Sequence, residues 1–482
     1  MKLYAAQLDF RPIAHEFGIP ERFTEQLHHE AATAVDRFAD QRRDDRAIPF
    51  VTIEPAGSMD LDQAVHLERN GDGYRVRYAI ADVAAFVQPG SELEAETFRR
   101  GQTYYLPDEP TRLHPAELSE NRASLLPNVD RPAVVWDIVL DTEGSPVHTT
   151  VSRALVRSVA RLDYDGVHAD YQAGTMHPSI ALLPEVGRLR QQSALRRHAV
   201  NLRLPAQRVE ATSDGLWQLV LEPRHEVNDW NSEISLLTGM VAGKMMVEAG
   251  VGLLRTLPPG SEADQASFVE AAGALGYTVG DSIGEFLLSV DASEPRGMAV
   301  MKEAQKLLRG AGYLWFDGEV PEENQRIHAG IGGAYAHVTA PLRRLVDRFA
   351  TEICLAIAAA QPGGTVPYRP EINLVAPQVP DCVTSRSEQL VKTMNKTSSL
   401  NNQVANACLS LTEAVVLAPW LNQNFRAAVL HTKPSGQSDV FTPEPPIIAK
   451  CHGAPPVGAT TLITLTEADP VSRNVRFSWP AD

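Results

Sequence analysis

The sequence predicts an α+β protein, on three observations. Strand-like segments dominate from Phe50 to Val156, helical periodicity takes over from Trp230 to Ala360, and short proline-broken strands return from Phe425 to the end. Within the first block, Ala64 to Leu67 and Tyr74 to Asp82 flank Asn70-Gly71-Asp72-Gly73, a strong hairpin signal. Trp136 to Leu140 and Val147 to Val156 pair across Asp141-Thr142-Glu143-Gly144. Ahead of them one helix is expected from Pro20 to Arg43, on apolar positions Phe23, Leu27, Ala31, Ala34, Val35 and Phe38.

The second block gives helices at Trp230 to Val247, Ser261 to Leu275 (capped by Ser261 toward Asp264), Met298 to Arg309 and Thr339 to Ala360. The last is entered through Pro341, which suits a first helical turn. Residues 361–380 are rich in Pro and Gly and read as a loop, followed by a helix from Ser385 to Trp420. In domain terms this gives a lead-in over residues 1–47, a body over 48–420 and a terminal β domain over 421–482.

Bulk properties narrow the function. At 482 residues the chain is long enough for two or three cores, and 44% apolar with 22% charged residues is ordinary for a globular protein. No stretch is apolar enough to span a membrane. Cys354, Cys382, Cys408 and Cys451 are scattered and read as reduced thiols of a cytoplasmic protein, not a zinc site or disulfide frame. A formal charge of −16 excludes a broadly basic nucleic-acid-binding surface but allows a narrow basic channel inside an acidic shell.

The richest chemistry lies in Thr52-Ile53-Glu54-Pro55-Ala56-Gly57-Ser58-Met59-Asp60-Leu61-Asp62-Gln63. Glu54, Asp60 and Asp62 are close enough to repel one another, and a hard cation such as Mg²⁺ or Mn²⁺ would relieve that repulsion. Asp60 and Asp62 would share one face of an extended segment. A solvated acidic loop accounts for the same residues.

These motifs resemble the ribonuclease II (RNB) family of 3′→5′ exoribonucleases. The resemblance runs through the acidic loop, Ile80-Ala81-Asp82-Val83, Arg100-Gly101-x-Thr103-Tyr104-Tyr105-Leu106-Pro107-Asp108, His114-Pro115 through Ser124-Leu125, Ala160-Arg161-Leu162-x-Tyr164, and Tyr335-Ala336-His337-Val338-Thr339-Ala340-Pro341-Leu342-Arg343-Arg344-Leu345-Val346-Asp347. It implies a mixed sheet surrounded by helices, ending in an S1-like OB β-barrel. The family usually shows four Asp in the loop, and here Glu54 and Gln63 replace the first and fourth. The family's large bacterial members carry two cold-shock domains ahead of the body. Residues 1–47 are too few for one such domain and a linker helix, so the chain is expected to lack them.

The resemblance implies that Glu54, Asp60, Asp62 and Gln63 hold Mg²⁺, with Mn²⁺ as a substitute, and that a second ion serves the leaving oxygen. It gives catalytic roles to Asp60, Asp62 and Arg343. RNA contacts would come from Tyr105, by stacking; from Tyr164 and Glu233, by sensing ribose; and from His337, Thr339, Arg343 and Arg344. Asp82 and Asp108 read as turn or capping residues. The implied activity is metal-dependent 3′→5′ degradation of single-stranded RNA, with no membrane partner and no DNA substrate. The alternative is a catalytically weakened relative that binds RNA 3′ ends or protein partners.

Overall fold

A computed structural model describes the chain except for residues 1–3, 7, 21, 197, 201, 203–206, 222–224, 370–373 and 482. Its central sheet contains strands Phe50–Glu54, Gln63–Asn70, Gly73–Ala81, Asp130–Leu140, Pro146–Asp163 and Thr365–Pro367. The 18-residue strand Pro146–Asp163 rolls the sheet by changing its main partner along its length. Its first part pairs antiparallel with Asp130–Leu140, and its last part runs parallel to Phe50–Glu54. Tyr78, Trp136, Val76 and Ile138 are fully buried along this sheet.

Both expected hairpins form. Asn70 pairs with Gly73 across a turn in which Gly71 takes φ 60°, open to glycine at no steric cost. Helix Glu226–Ala249 covers the sheet together with Leu345–Ala360 and the 31-residue Ser387–Leu417. Gly239 and Gly243 let the segment around Tyr335 lie directly on helix Glu226–Ala249. A Cβ at Gly239 would sit 2.2 Å from the Tyr335 ring, and one at Gly243 would sit 2.6 Å from its backbone nitrogen.

The terminal region is a closed five-stranded barrel of Asn424–Thr432, Gln437–Pro443, Pro446–His452, Asn474–Ser478 and Thr460–Asp469, in that spatial order. Closure removes exposed sheet edges and gives Val429, Val440, Ile463, Leu465 and Phe477 a fully buried interior. All four cysteines are free thiols. Among the described residues, no helix is long and apolar enough to cross a membrane.

Three expectations need correction. The helix expected over Pro20 to Arg43 is confined to Glu25–Thr33, capped by the Thr24 hydroxyl on Leu27 N–H. The helix expected to start at Thr339 starts at Leu345, because Arg344 is held extended (φ −132°, ψ 127°) in a bridge to Gln102. The loop over 361–380 contributes strand Thr365–Pro367 to the central sheet, while residues 370–373 lie outside the described residues. A small sheet of Tyr4–Ala6, Leu216–Leu221 and Gln207–Ala211 was not anticipated. It packs Val209, Trp217 and Leu219 against the barrel and helix Ser387–Leu417.

At that junction Glu413 is 7% exposed and accepts a 3.0 Å hydrogen bond from Gln207 Nε2. Burial pushes its carboxyl up to about 7 from an ordinary 4.5. The folded state therefore binds this proton more tightly than the unfolded chain. The contribution is full below pH 4.5 and is lost as pH rises through about 7. A shift of that size is on the order of 3 kcal/mol. Glu413→Gln is expected to flatten the fall in unfolding temperature between about pH 5 and pH 7.5. An unchanged pH profile in thermal melts would exclude Glu413 as its source.

Candidate active site

The acidic loop is fixed from below by a hydrophobic anchor. Leu61, between Asp60 and Asp62, is fully buried, a burial contributing roughly 1.5–3 kcal/mol. The Ser124 hydroxyl accepts from Leu61 N–H at 3.0 Å and donates to the Met59 carbonyl at 2.6 Å. Leu125 N–H donates to the Leu61 carbonyl, and Ala81 N–H to the Asp62 carbonyl. Gly57, at φ 87°, turns the chain between Glu54 and Asp60.

The loop meets a second loop, residues 339–344, that is remote in sequence. Asp62 is 2% exposed, and its Oδ1 accepts from Leu342 N–H at 2.7 Å. Arg343 Nε stands 3.9 Å from Asp62 Oδ2, with the arginine side chain 42% exposed. The backbone of Arg343 is stitched to the Arg100–Thr103 segment, its carbonyl accepting from Thr103 N–H at 2.9 Å. Glu54 ends the strand Phe50–Glu54, in register with Asp163, which brings Tyr164 near it.

Burial, the largest influence, raises all three carboxyls. Glu54 is pushed up to about 7, with Arg343 opposing and Asp60 adding to the shift. Asp60 is raised, and Asp62 lies well above its ordinary range despite Arg343 and the Leu342 N–H. Burial thus disfavours all three anions, and the one guanidinium beside them does not offset that cost. A divalent cation among hard oxygen donors would supply the missing charge, so the donor set fits Mg²⁺ or Mn²⁺ in chemistry. Among the described residues, no three His, Cys, Asp or Glu side chains already converge on one ion-sized point.

Around these groups, Tyr105 is 53% exposed and its hydroxyl donates to Asp60 Oδ2 at 3.3 Å, leaving a ring face to solvent beside the acids. The Tyr164 hydroxyl accepts from Asn231 Nδ2 at 3.1 Å. Glu233 is buried two residues further along the same helix.

Four expected site residues are engaged by other protein groups. Gln63 was expected to offer its oxygen to an ion. Its Oε1 instead accepts from the Tyr78 hydroxyl, and its Nε2 donates to the Thr339 carbonyl at 2.8 Å. Arg344 was expected to contact RNA, yet it makes two 2.8 Å bonds to the fully buried Asp347, which also accepts from Ala340 N–H. Thr339 is buried, its hydroxyl 2.7 Å from that of Ser235. His337 sits between the Tyr313 and Tyr335 rings with Nδ1 2.8 Å from the Tyr313 hydroxyl. Burial drops its pKa far below the ordinary value, so it is a neutral ring and no cation for phosphate.

Sequence reasoning missed Tyr78, Asn231 and Ser235, which orient the residues it found. Arg161 was also missed as a site residue. It is exposed, and it donates to the Ser58 carbonyl at 3.2 Å from the strand beside Glu54. Its signal was its place in the Ala160-Arg161-Leu162 block.

This architecture is a rolled mixed sheet walled by helices, with an acidic loop under an arginine-bearing turn and an appended OB-type barrel. A family model described as "RNB domain" matches residues 42–357, and one described as "RNase II-type exonuclease C-terminal S1 domain" matches residues 423–479. The chain belongs to the RNB-domain family, whose nucleases are generally dependent on a divalent metal. Ribonuclease R of Chlamydia trachomatis is 28% identical over 360 residues, covering 71% of this chain and 51% of that protein. The chain thus spans about half the length of the curated relatives it matches. The apo form of Mycoplasma genitalium RNase R superposes with a TM-score of 0.83 at 18% identity, over 97% of this chain and 77% of the other. Yeast Ssd1, described as a pseudonuclease, superposes at 0.65 and 16% identity, over 93% of this chain and 54% of the other. These two likenesses bear on fold alone, which a nuclease and a pseudonuclease share.

Proposed function

We propose that this chain is a divalent-metal-dependent 3′→5′ exoribonuclease that degrades single-stranded RNA to nucleoside 5′-monophosphates. The observation that carries the reading is the half-exposed Arg343 guanidinium over the buried, under-compensated Asp62 carboxylate. A carboxylate is stable there as an anion only with more positive charge than the protein supplies. Glu54, Asp60 and Asp62 would hold Mg²⁺, or Mn²⁺ in its place. When bound, the ion supplies Lewis-acid polarisation of the scissile phosphate and a more acidic water. Arg343 offsets charge on the phosphate as the P–O bond breaks, through two parallel N–H donors.

Tyr105 offers a stacking face for a terminal base, which tolerates any sequence. Tyr164, oriented by Asn231, and Glu233 form the edge that senses the 2′-hydroxyl. Strand-specific threading needs no broad basic surface, in keeping with the charge of −16. The second reading, a weakened relative that binds RNA 3′ ends, is favoured by one observation: Gln63 stands where a fourth carboxylate is usual.

A 5′-labelled oligoribonucleotide incubated with Mg²⁺ and separately with Mn²⁺ tests both. The expected result is a ladder shortening from the 3′ end, a stall near any duplex, and an intact DNA oligomer of the same sequence. Cleavage of a circular RNA would rule out an exonuclease. Retention of a 3′-ended RNA with no shortening in either metal would establish the second reading.

A further inference from the structure

Gln63 marks this chain's departure from the four-carboxylate pattern, and both ends of its amide are engaged. The Tyr78 hydroxyl donates to Oε1, which leaves the NH₂ facing the Thr339 carbonyl at 2.8 Å. Its neighbour Asp62 accepts from Leu342 N–H at 2.7 Å. Two consecutive residues of the acidic loop therefore grip one turn at points three residues apart. These two bonds come from the acidic loop itself, alongside those that Asp347, Ser235 and Thr103 make to residues 339–343, so they tie the turn's orientation to that loop, and Arg343 follows immediately.

We propose that Gln63 is a positioning residue and not a metal ligand: with Asp62 it clamps the 339–342 turn, and the Arg343 guanidinium so presented acts as the second positive centre of a site that takes a single divalent cation. This rests on the nuclease reading above. The clamp explains the residue type. A carboxylate at position 63 would set an acceptor against the Thr339 carbonyl, losing the bond and adding repulsion. Charge balance agrees. Glu54, Asp60 and Asp62 carry three negative charges when ionised, and one divalent ion with Arg343 carries three positive ones. Mg²⁺ is commonly held by one or two carboxylates with waters and substrate phosphate filling its shell, so three acidic residues suffice for one ion.

The test has two arms on the full chain. Mn²⁺ titration, followed by electron paramagnetic resonance of the free ion, is expected to give one tight ion per chain. That number should stay at one in Gln63→Glu, which preserves length and the acceptor for Tyr78. In single-turnover assays, Gln63→Met and Gln63→Glu are expected to lower the rate about tenfold with little change in RNA affinity. In an Arg343→Met background the same substitutions should cost almost nothing further, because the loss passes through Arg343. Two tight ions in wild type, a second ion gained by Gln63→Glu, or a full additional loss without Arg343 would each overturn the proposal. If wild type degrades no RNA, the nuclease reading fails, while the Mn²⁺ count still tests the one-ion site because it needs no turnover.

Discussion

Asp62→Asn is expected to lower turnover on single-stranded RNA by about two orders of magnitude or more, which is about 3 kcal/mol of transition-state stabilisation. RNA binding and the fold should survive. The amide keeps an oxygen where Asp62 Oδ1 accepts from Leu342 N–H, so the contact between the two loops persists. What disappears is the charge facing Arg343 and the ion. Because burial holds the Asp62 carboxyl well above its ordinary range, the metal-free variant should also unfold at a slightly higher temperature than metal-free wild type. Gain in stability with loss of rate is the signature of a functional charge kept at a structural cost. Single-turnover kinetics, filter binding and thermal melts on one preparation measure all three. An unchanged rate would mean that the acidic loop is not the reaction centre.

The acidic loop was legible because the family's motifs follow in order around it; its carboxylates alone would equally fit a solvated loop. The hairpins were legible because Asn70-Gly71-Asp72-Gly73 specifies a turn that needs positive φ, and period-two alternation does the rest. The clamp was not legible. Gln63 and Thr339 are 276 positions apart, and Asp62 and Leu342 are 280 apart. Nothing local to a glutamine shows that a tyrosine hydroxyl and a distant carbonyl will take both ends of its amide.

The misplaced helix start has the same origin. Thr339-Ala340-Pro341 looks like a helix entry, since Pro suits a first turn. Arg344 is instead drawn into an extended bridge with the distant Gln102, so the chain coils only from Leu345. The helix expected over Pro20 to Arg43 failed differently. Its apolar spacing is real, but Phe23, Ala34 and Phe38 pack on the core from separate turns as well as from a helix.

The sharpest separation of structure from chemistry falls on two adjacent arginines. Arg344 lies largely buried against Asp347, which has no exposed surface, through two 2.8 Å bonds. Removing one member of such a pair leaves a buried charge uncompensated, which typically costs about 3–5 kcal/mol. Arg344→Met is therefore expected to lower the unfolding temperature by many degrees and to release the turn that Asp347 holds through Ala340 N–H. Arg343→Met should leave unfolding nearly unchanged, since that side chain is half exposed and its closest acid is 3.9 Å away. It should instead cut turnover about a hundredfold, as expected for loss of a preorganised cation at the reacting phosphate. Melts and single-turnover rates on both variants decide the matter. If Arg344→Met spared stability and struck only the rate, its guanidinium would have to reach RNA, and the buried pair with Asp347 could not be its role. If Arg343→Met spared the rate, the exposed guanidinium over Asp62 would lose its place in the proposed chemistry, and the phosphate would need another cation, for which exposed Arg161, bonded to the Ser58 carbonyl of the acidic loop, is a candidate.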